Sequence, residues 1–456
     1  MKIIEKNIKD ALDIMGYQNL TTIQKHVIPL LLENKNIIAK AMTGSGKTAS
    51  YLIPVIQNIN WNENKPQALI LTCTRELCKQ VENEAKNIGK LKKIKVTSIH
   101  GKAKMEYQAN MLKQKCHIVC ATPGRLLDHL NNTSIDLSNI HYLIIDEADY
   151  MLDMGFIDDV ERILNYLNKD ITIGLFSATY PDRILNLINT YIKEYQIIET
   201  DSKAKINNYY IDTDNKYDSL LKILRLKNIE SCLIFVEMQR DADELTNKLI
   251  KEKINVSIIH GGLEQNERFK QLELFKSGKR RIMIATDVAA RGIDIEKVSH
   301  VIHYHLPHTI EDYIHRCGRS GRVNETGISI LLNNDFNDLT NQIIHTFNLK
   351  ELELNDLYDN YDYLNTIADK TNKEDKWNKT IEKIYINAGK DKKIRVIDII
   401  GALCSLENIT NDDIGVIEVL SKMSYVEIFN NKASYIINEF KHKTIKNKKV
   451  KIEYAK

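Results

Sequence analysis

Short apolar runs rich in Ile, Val and Leu recur along the first part of the chain, at Asn36–Ala41, Gln67–Thr72, Lys95–His100, Cys116–Ala121, His141–Asp146 and Ile171–Ser177. A run that is apolar throughout predicts a strand covered on both faces, and the stretches between these runs have helical length. The expectation is a parallel α/β sheet. A polar, charged stretch near Glu199–Ile206 interrupts the pattern, which restarts with strands at Ser231–Val236, Asn255–His260, Arg281–Ala285, Ser299–His303 and Gly327–Leu331. Two α/β lobes in tandem follow. They echo each other: Ser98-Ile-His-Gly-Lys and Ile258-Ile-His-Gly-Gly each end a strand, and the next strand in each lobe ends in Ala-Thr, at Ala121-Thr122 and Ala285-Thr286.

Beyond residue 350 the pattern changes. Residues 351–380 carry four Lys against eight Asp/Glu, 4 − 8 = −4, and read as a linker or loosely packed extension. Residues 381–456 then read β-α-β-β-α-β, with strands at Ile381–Asn387, Gly415–Leu420, Ser424–Phe429 and Lys449–Tyr454 and helices at Ile394–Leu403 and Lys432–Phe440. That order is the ferredoxin-like arrangement of RNA-recognition motifs. The expected division is 1–200 and 206–350 for the lobes, 351–380 for the connector and 381–456 for a small RRM-like domain.

Length supports this division, since 456 residues at about 150 per domain make roughly three domains. The net charge of 64 − 61 = +3 excludes a polycation that holds nucleic acid by bulk charge, so any such binding must be local. The local imbalance lies at the end: residues 441–456 carry seven Lys and one Glu, or +6, against −2 for residues 381–440. Seven scattered Cys with no C-x-x-C pair suit a reducing compartment. Cys116-His117-x-x-Cys120 lies in an apolar run without a second ligand pair, so buried strand cysteines are expected there rather than zinc. The first residues lack a signal-peptide core, and no apolar run nears the ~18 residues of a membrane span. A cytoplasmic protein without membrane partners is expected.

The chemistry begins at Ala41-Met-Thr-Gly-Ser-Gly-Lys-Thr48, between a strand and a helical stretch. There Gly44 and Gly46 let backbone N–H groups face phosphates, Lys47 supplies charge and Thr48 can hold Mg²⁺. The bland alternative, a Gly-rich turn, does not need that context. Strand His141–Asp146 ends in Asp146-Glu147-Ala148-Asp149, at the edge where open α/β sheets bind ligands. Such a tetrad alone is usually a helix N-terminus. Beside a phosphate loop, Asp146 is expected to hold Mg²⁺ and Glu147 to act on water as general base. In the second lobe, His315-Arg-Cys-Gly-Arg-Ser-Gly-Arg322 places three Arg at spacing three, suited to complete a nucleotide site on domain closure. A solvated basic face is the alternative.

Together these residues resemble the DEAD-box family of ATP-dependent RNA helicases through most of residues 10–332. Gly16-Tyr-x-x-x-Thr21-x-Ile-Gln24 looks like the family's Q motif. Thr74-Arg-Glu-Leu77, Thr122-Pro-Gly-Arg125, Ser177-Ala-Thr179, Gln265-x-x-Arg268 and Ala285-Thr-Asp-Val-Ala-Ala-Arg-Gly-Ile-Asp294 look like the remaining motifs. The resemblance implies two tandem RecA-like P-loop lobes. It implies ATP contacts from Gln24, Thr43, Gly44, Ser45, Gly46, Lys47, Thr48, Asp146, Glu147, Asp287, Arg319 and Arg322, with Lys47, Glu147, Arg319 and Arg322 in hydrolysis. It implies RNA-backbone contacts from Thr74, Arg75, Gly101, Thr122, Gly124, Arg125, Arg268 and Thr286, with Ser177 and Thr179 coupling the two sites. Three residues depart from the family pattern: Leu20 and Cys73 stand where Pro is usual, and Lys102 where a second Gly is common. No upstream aromatic is placed to stack on adenine; that region offers Ile3 and Ile4.

The last 75 or so residues resemble the RNA-binding domain of the DbpA-type bacterial helicases, through Ile384-Tyr-Ile-Asn-Ala-Gly-Lys, Lys393-Ile-Arg-Val-Ile-Asp-Ile-Ile-Gly-Ala, Asp413-Ile-Gly and Ser424-Tyr-Val-Glu-Ile. That subfamily implies a target in 23S ribosomal RNA and a part in large-subunit (50S) assembly. Tyr385 and Tyr425, on adjacent strands, can stack bases, or can be ordinary surface aromatics. Basic residues Lys390, Lys392, Lys393, Arg395 and Lys446–Lys451, Lys448 among them, are expected to supply affinity. The expected protein is a monomeric RNA helicase using ATP and Mg²⁺. An ATP-regulated RNA clamp or assembly scaffold is the second reading. A DNA translocase is the third, disfavoured by the RNA-type last domain.

Overall fold

The computed structural model describes residues 3–40, 45–199, 206–226, 229–290, 295, 298–321, 326–334, 337–354, 357–366 and 381–455. The first lobe is one sheet of β1 (Asn36–Lys40), β2 (Ala68–Leu71), β3 (Val96–Ile99), β4 (Ile118–Ala121), β5 (Tyr142–Asp146), β6 (Thr172–Ser177) and β7 (Tyr195–Glu199), in the order β3-β4-β2-β5-β6-β1-β7. Every pairing in it is parallel. Strands β2, β4, β5 and β6 are buried at every position, because helices cover both faces. Each Leu, Ile or Val removed from water there contributes roughly 1.5–3 kcal/mol.

The second lobe has β8 (Ile206–Asp212), β9 (Cys232–Val236), β10 (Val256–Ile259), β11 (Ile282–Thr286), β12 (His300–His303), β13 (Gly327–Asn333) and β14 (Lys350–Glu351), ordered β10-β11-β9-β12-β13-β8-β14. Counted from its own first strand, this is the order of the first lobe. The Ile-His-Gly echo thus falls on structurally equivalent third strands. Strands β7, β8 and β14 were not expected from the sequence. They form the polar side of each sheet: in β8 (INNYYID) no residue is buried, so no apolar run marks it.

The third unit is an antiparallel sheet of β15 (Ile381–Ile386), β16 (Ile414–Val419), β17 (Ser424–Phe429) and β20 (Ile452–Tyr454), ordered β16-β17-β15-β20, with a two-stranded ribbon of β18 (Thr444–Ile445) and β19 (Lys448–Lys449). Helices Val396–Cys404 and Ala433–Glu439 complete the β-α-β-β-α-β order. Ile384, Ile386, Val426 and Ile428 are buried in its core, whereas Tyr385, Tyr425 and Glu427 alternate with them on the opposite face.

Within the connector stretch, residues 357–366 lie on the second lobe. Leu364 joins its core, and the Tyr363 hydroxyl donates to the carbonyls of Leu224 and Leu226, both at 2.8 Å. The third unit rests on the first lobe. Lys93 Nζ donates to Asn411 O and Lys95 Nζ to Ile417 O, each at 2.8 Å, and Lys90 pairs with Glu427 at 3.5 Å. No helix among the described residues is long and apolar enough to cross a membrane.

Candidate functional site

Sheet order sorts the motifs before any side chain is considered. Strands β5, β6 and β1 are neighbours; β5 ends in Asp146 and β6 in Ser177, and the described chain after β1 resumes at Ser45. Strands β3, β4 and β2 are neighbours on the other half, and past their ends lie Gly101, Thr122 and Thr74. One sheet edge therefore carries the residues expected to meet nucleotide, the nucleotide half, beside those expected to meet RNA, the RNA half.

In the nucleotide half, Ala41, Met42, Thr43 and Gly44 lie outside the described residues. Gly46 has φ 90°, and a Cβ there would come within 2.6 Å of Gln24 Nε2, so the turn needs glycine twice over. Gln24 is buried beneath the loop, with Nε2 donating to Gly46 O at 3.1 Å and Oε1 accepting from Thr21 N at 2.9 Å. Ser45 and Gly46 lead into the helix Lys47–Asn58, which carries Lys47 and Thr48 in its first turn. Its N-terminal N–H groups face the cradle that an anion would fill.

Asp146 is 2% exposed, with Oδ2 accepting from the Tyr51 hydroxyl at 2.8 Å. Its Oδ1 is buried and has no hydrogen-bond partner among the described residues. Burial raises its pKa above the ordinary carboxylate range, against the pull of Lys47. A desolvated carboxylate with one oxygen unsatisfied among the described residues, within the field of Lys47, fits a hard divalent cation. Glu147 caps the helix Ala148–Asp153 in a left-handed conformation, φ 55° and ψ 54°, and its Oε2 accepts from the Cys73 thiol at 3.3 Å. A non-glycine residue held there is strain of the kind that active sites store.

Ser177 and Thr179 meet at a residue not singled out from the sequence. Asp149 Oδ2 accepts from Ala178 N at 3.0 Å, Thr179 N at 2.9 Å and Thr179 Oγ1 at 3.1 Å, and Ser177 Oγ accepts from Asp149 N at 3.1 Å. Across the cleft His315 Nε2 stands 3.8 Å from the same carboxylate, and the Tyr150 hydroxyl donates to Val288 O at 3.1 Å. An acidic tetrad in sequence gave no hint which acid faces which partner; the β5–β6 register decides it.

In the RNA half, Thr74 caps the helix Arg75–Ile88 by accepting from Leu77 N at 3.2 Å. Arg75 Nη1 donates to Gln265 Oε1 at 2.9 Å, and its Nε would lie 3.8 Å from a Cβ on Gly101. Gln265 Nε2 returns to Glu76 Oε1 at 2.9 Å, and Arg268 Nη2 reaches the same oxygen at 3.2 Å. Glu76 and Gln265 thus join the lobes, a role the sequence reading missed. Arg268 Nε is buried without a partner among the described residues. Arg125 Nη1 bonds Ala103 O and Gln108 Oε1, both at 2.8 Å, in the first turn of the helix Pro123–Asn131, which follows Thr122 at the N-cap position and includes Gly124.

At the end of β11, Thr286 is buried and Asp287 is clamped by Arg316, with Nε to Oδ1 at 2.7 Å and Nη2 to Oδ2 at 2.6 Å. Of the three arginines at spacing three, Arg316 is a buried tie rather than a group open to the cleft. Arg319 is also buried, and Arg322 lies outside the described residues.

In the third unit, Tyr385 and Tyr425 are directly opposite in register, ring centroids 5.8 Å apart and edge-on, with Lys383 Nζ 4.9 Å over Tyr425. Exposed Lys392, Lys393 and Arg395 follow in one turn. The β18–β19 ribbon brings two more lysines to them: Lys446 Nζ donates to Lys393 O at 3.1 Å, and Lys448 Nζ to Lys392 O. The basic tail and the basic turn form one patch.

Fold and site define a two-lobed P-loop nucleoside triphosphatase whose second lobe closes over both halves of the first, with a basic accessory domain. Three family models match it: DEAD/DEAH box helicase over residues 21–187, helicase conserved C-terminal domain over 215–324 and DbpA RNA binding domain over 383–454. The ATP-dependent RNA helicase DbpA of Bacillus subtilis is 41% identical, covering 99% of this chain and 98% of its own length. The DEAD-box ATP-dependent RNA helicase CshA of Geobacillus kaustophilus is 38% identical over 72% of this chain and 71% of its own. Among solved structures, S. cerevisiae Dbp5 bound to RNA and ADP BeF3 matches with TM-score 0.70 at 30% identity, covering 78% of this chain and 95% of that one. A DEAD box protein from the hyperthermophile Methanococcus jannaschii matches with TM-score 0.51 at 42% identity, covering 77% and 98%. The chain belongs to the DEAD-box ATP-dependent RNA helicases of the DbpA type. It is an RNA-stimulated ATPase.

Proposed function

We propose that this helicase separates short duplexes in 23S ribosomal RNA during assembly of the large ribosomal subunit, acting as a cytoplasmic monomer held at its target by residues 381–456. The observation that carries the mechanism is the junction of Arg75, Glu76, Gln265 and Arg268 across the cleft, alongside the Asp149–His315 approach. Both junctions exist only when the lobes are closed. The higher TM-score against an RNA-bound, ADP BeF3-bound chain than against a more identical one supports that closed arrangement.

Asp146 Oδ1 and Thr48 would hold Mg²⁺, whose charge offsets that of the phosphates during transfer. Lys47 and the loop N–H groups orient the phosphates. Glu147 takes the proton of the attacking water, and Arg319 with Arg322 faces the charge that develops. On the other half, Arg75, Arg125, Arg268 and the helix N-termini at Thr74 and Thr122 grip one RNA strand by its backbone, beside Gly101, Gly124 and Thr286. A strand held on that bent surface cannot stay paired, so closure displaces its complement. The basic patch of Lys392, Lys393, Arg395 and Lys448, beside Tyr385 and Tyr425, raises the concentration of the motor at its target.

The test is ATPase and strand displacement against a panel of RNAs, for the full chain and for a chain lacking residues 381–456. A 23S hairpin fragment should stimulate at far lower concentration than bulk RNA only in the full chain. Equal stimulation by all RNAs refutes the ribosomal target. ATP-dependent retention on the hairpin without displacement of a flanking strand identifies a clamp instead.

A further inference from the structure

Tyr51 lies four residues after Lys47, on the same face of the helix Lys47–Asn58, and is fully buried. Its ring leans on Phe176 of β6, with centroids 5.1 Å apart and planes at 58°. Phe176 is the register partner of Asp146 in the β5–β6 pair. Ring and hydroxyl are thereby fixed at two points: the ring by the neighbour of Asp146, the hydroxyl by Asp146 Oδ2 at 2.8 Å.

We infer that Tyr51 is a positioning residue of the metal site, its phenol holding Oδ2 of Asp146 so that Oδ1 is turned to the cation. The two oxygens are otherwise interchangeable, because rotation of a carboxylate about its last bond is broad and two-fold. The phenol removes that symmetry. One oxygen accepts a charge-assisted hydrogen bond; the other is buried with no partner among the described residues, a costly state that a divalent cation relieves. Phenylalanine at this position would keep the contact with Phe176 and lose the hold on the carboxylate. The role is one step behind the ligand, where an outer partner fixes the orientation of the group that touches the metal.

The inference rests on the assignment of Asp146 to Mg²⁺, so Tyr51→Phe and Asp146→Asn are compared in the full chain. Binding of a fluorescent ADP analogue is followed as Mg²⁺ is titrated, and again in EDTA. Tyr51→Phe should raise the Mg²⁺ concentration for half-maximal binding by about tenfold, with affinity in EDTA unchanged. Hydrolysis should show the same shift in Mg²⁺ requirement and recover most of its rate at saturating Mg²⁺, which a general loosening of the core would not allow. An unchanged Mg²⁺ requirement in Tyr51→Phe, with a raised one in Asp146→Asn, overturns the role of Tyr51 and leaves the metal assignment standing. An unchanged requirement in both overturns the two together. Should Tyr51→Phe fold poorly, Phe176→Leu reports separately. It loosens the ring and leaves the phenol in place, so it should move the Mg²⁺ requirement less than Asp146→Asn; an equal shift from both overturns the assignment to the hydroxyl.

Discussion

Glu76→Ala removes the acceptor on which two donors of the second lobe converge, Gln265 Nε2 at 2.9 Å and Arg268 Nη2 at 3.2 Å. Glu76 is 7% exposed, so these bonds are shielded when the lobes are together, whereas in an open molecule all three groups are hydrated. A hydrogen bond to a charged group contributes roughly 1.5–3 kcal/mol, and two on one oxygen are not additive, which puts the loss at about 2–3 kcal/mol of closure. That is a factor of roughly 30 to 150 in the closing equilibrium, and apparent RNA affinity falls with the competent fraction. The cost to the first lobe itself is small, roughly 0.3–1 kcal/mol for an acidic residue lost from the first turn of a helix. Fluorophores on exposed sites of the two lobes report closure in the presence of RNA and a non-hydrolysable ATP analogue, and RNA titration of the ATPase reports affinity. Half-maximal RNA should rise by up to that factor, roughly 30- to 150-fold where the free protein is mostly open, with melting of the protein nearly unchanged, and Glu76→Gln, which keeps the acceptor oxygen, should fall between. Unchanged closure and RNA affinity in Glu76→Ala would refute the argument that this junction holds the lobes together.

Cys73→Ala should lower the RNA-stimulated turnover by roughly three- to tenfold at unchanged nucleotide affinity, because Glu147 loses its thiol donor, and Cys73→Ser should restore it; steady-state kinetics with a binding assay decide. Asp149→Ala should leave nucleotide binding intact and depress strand displacement by about tenfold more than ATP hydrolysis, read from both rates on one substrate. Burial pushes the pKa of His117 down to about 4, and its Nδ1 must accept from Lys95 N at 2.9 Å, so it is neutral in the fold. The unfolded chain takes up that proton near 6.5 while the native one does not, so first-lobe stability should fall as pH drops from about 6.5 to 4, by up to ~3 kcal/mol. Thermal melts should show that slope in the wild type and a shallower one in His117→Gln.

The strands that build the two cores were legible because each is covered on both faces and reads as an uninterrupted apolar run. The strands β7, β8 and β14 were not, since residues such as Asn207, Asn208 and Asp212 owe their extended backbone to a neighbouring strand rather than to burial. The same division runs through the site. Lys47, Asp146 and Glu147 announce themselves through spacing, because the chemistry requires them in one place in the chain. Tyr51, Asp149 and Glu76 do not, since a tyrosine in an apolar helix, the last acid of a tetrad and a glutamate after an arginine acquire their partners only through sheet register and lobe closure. The three arginines show the limit from the other direction: their spacing alone does not tell them apart, and Arg316 is spent on Asp287 inside the second lobe.

The place of β2 in the sheet makes its following loop the shared boundary of the two halves. β2 pairs with β4 of the RNA half and with β5 of the nucleotide half. Three consecutive residues past its end therefore face different chemistry: Cys73 touches Glu147 at 3.3 Å, Thr74 caps a helix N-terminus, and Arg75 reaches Gln265 of the second lobe at 2.9 Å. A shift of Arg75 as the lobes close must pull on a backbone whose residue two positions earlier touches Glu147. Asp149 forms the corresponding link on the far side of β5, tied to Ser177 and Thr179 below and approached by His315 above. Two short paths, each of only a few bonds, thus connect the second-lobe contacts of Arg75 and Asp149 to the pair of carboxylates. Hydrolysis that waits for RNA and closure needs no longer route than these.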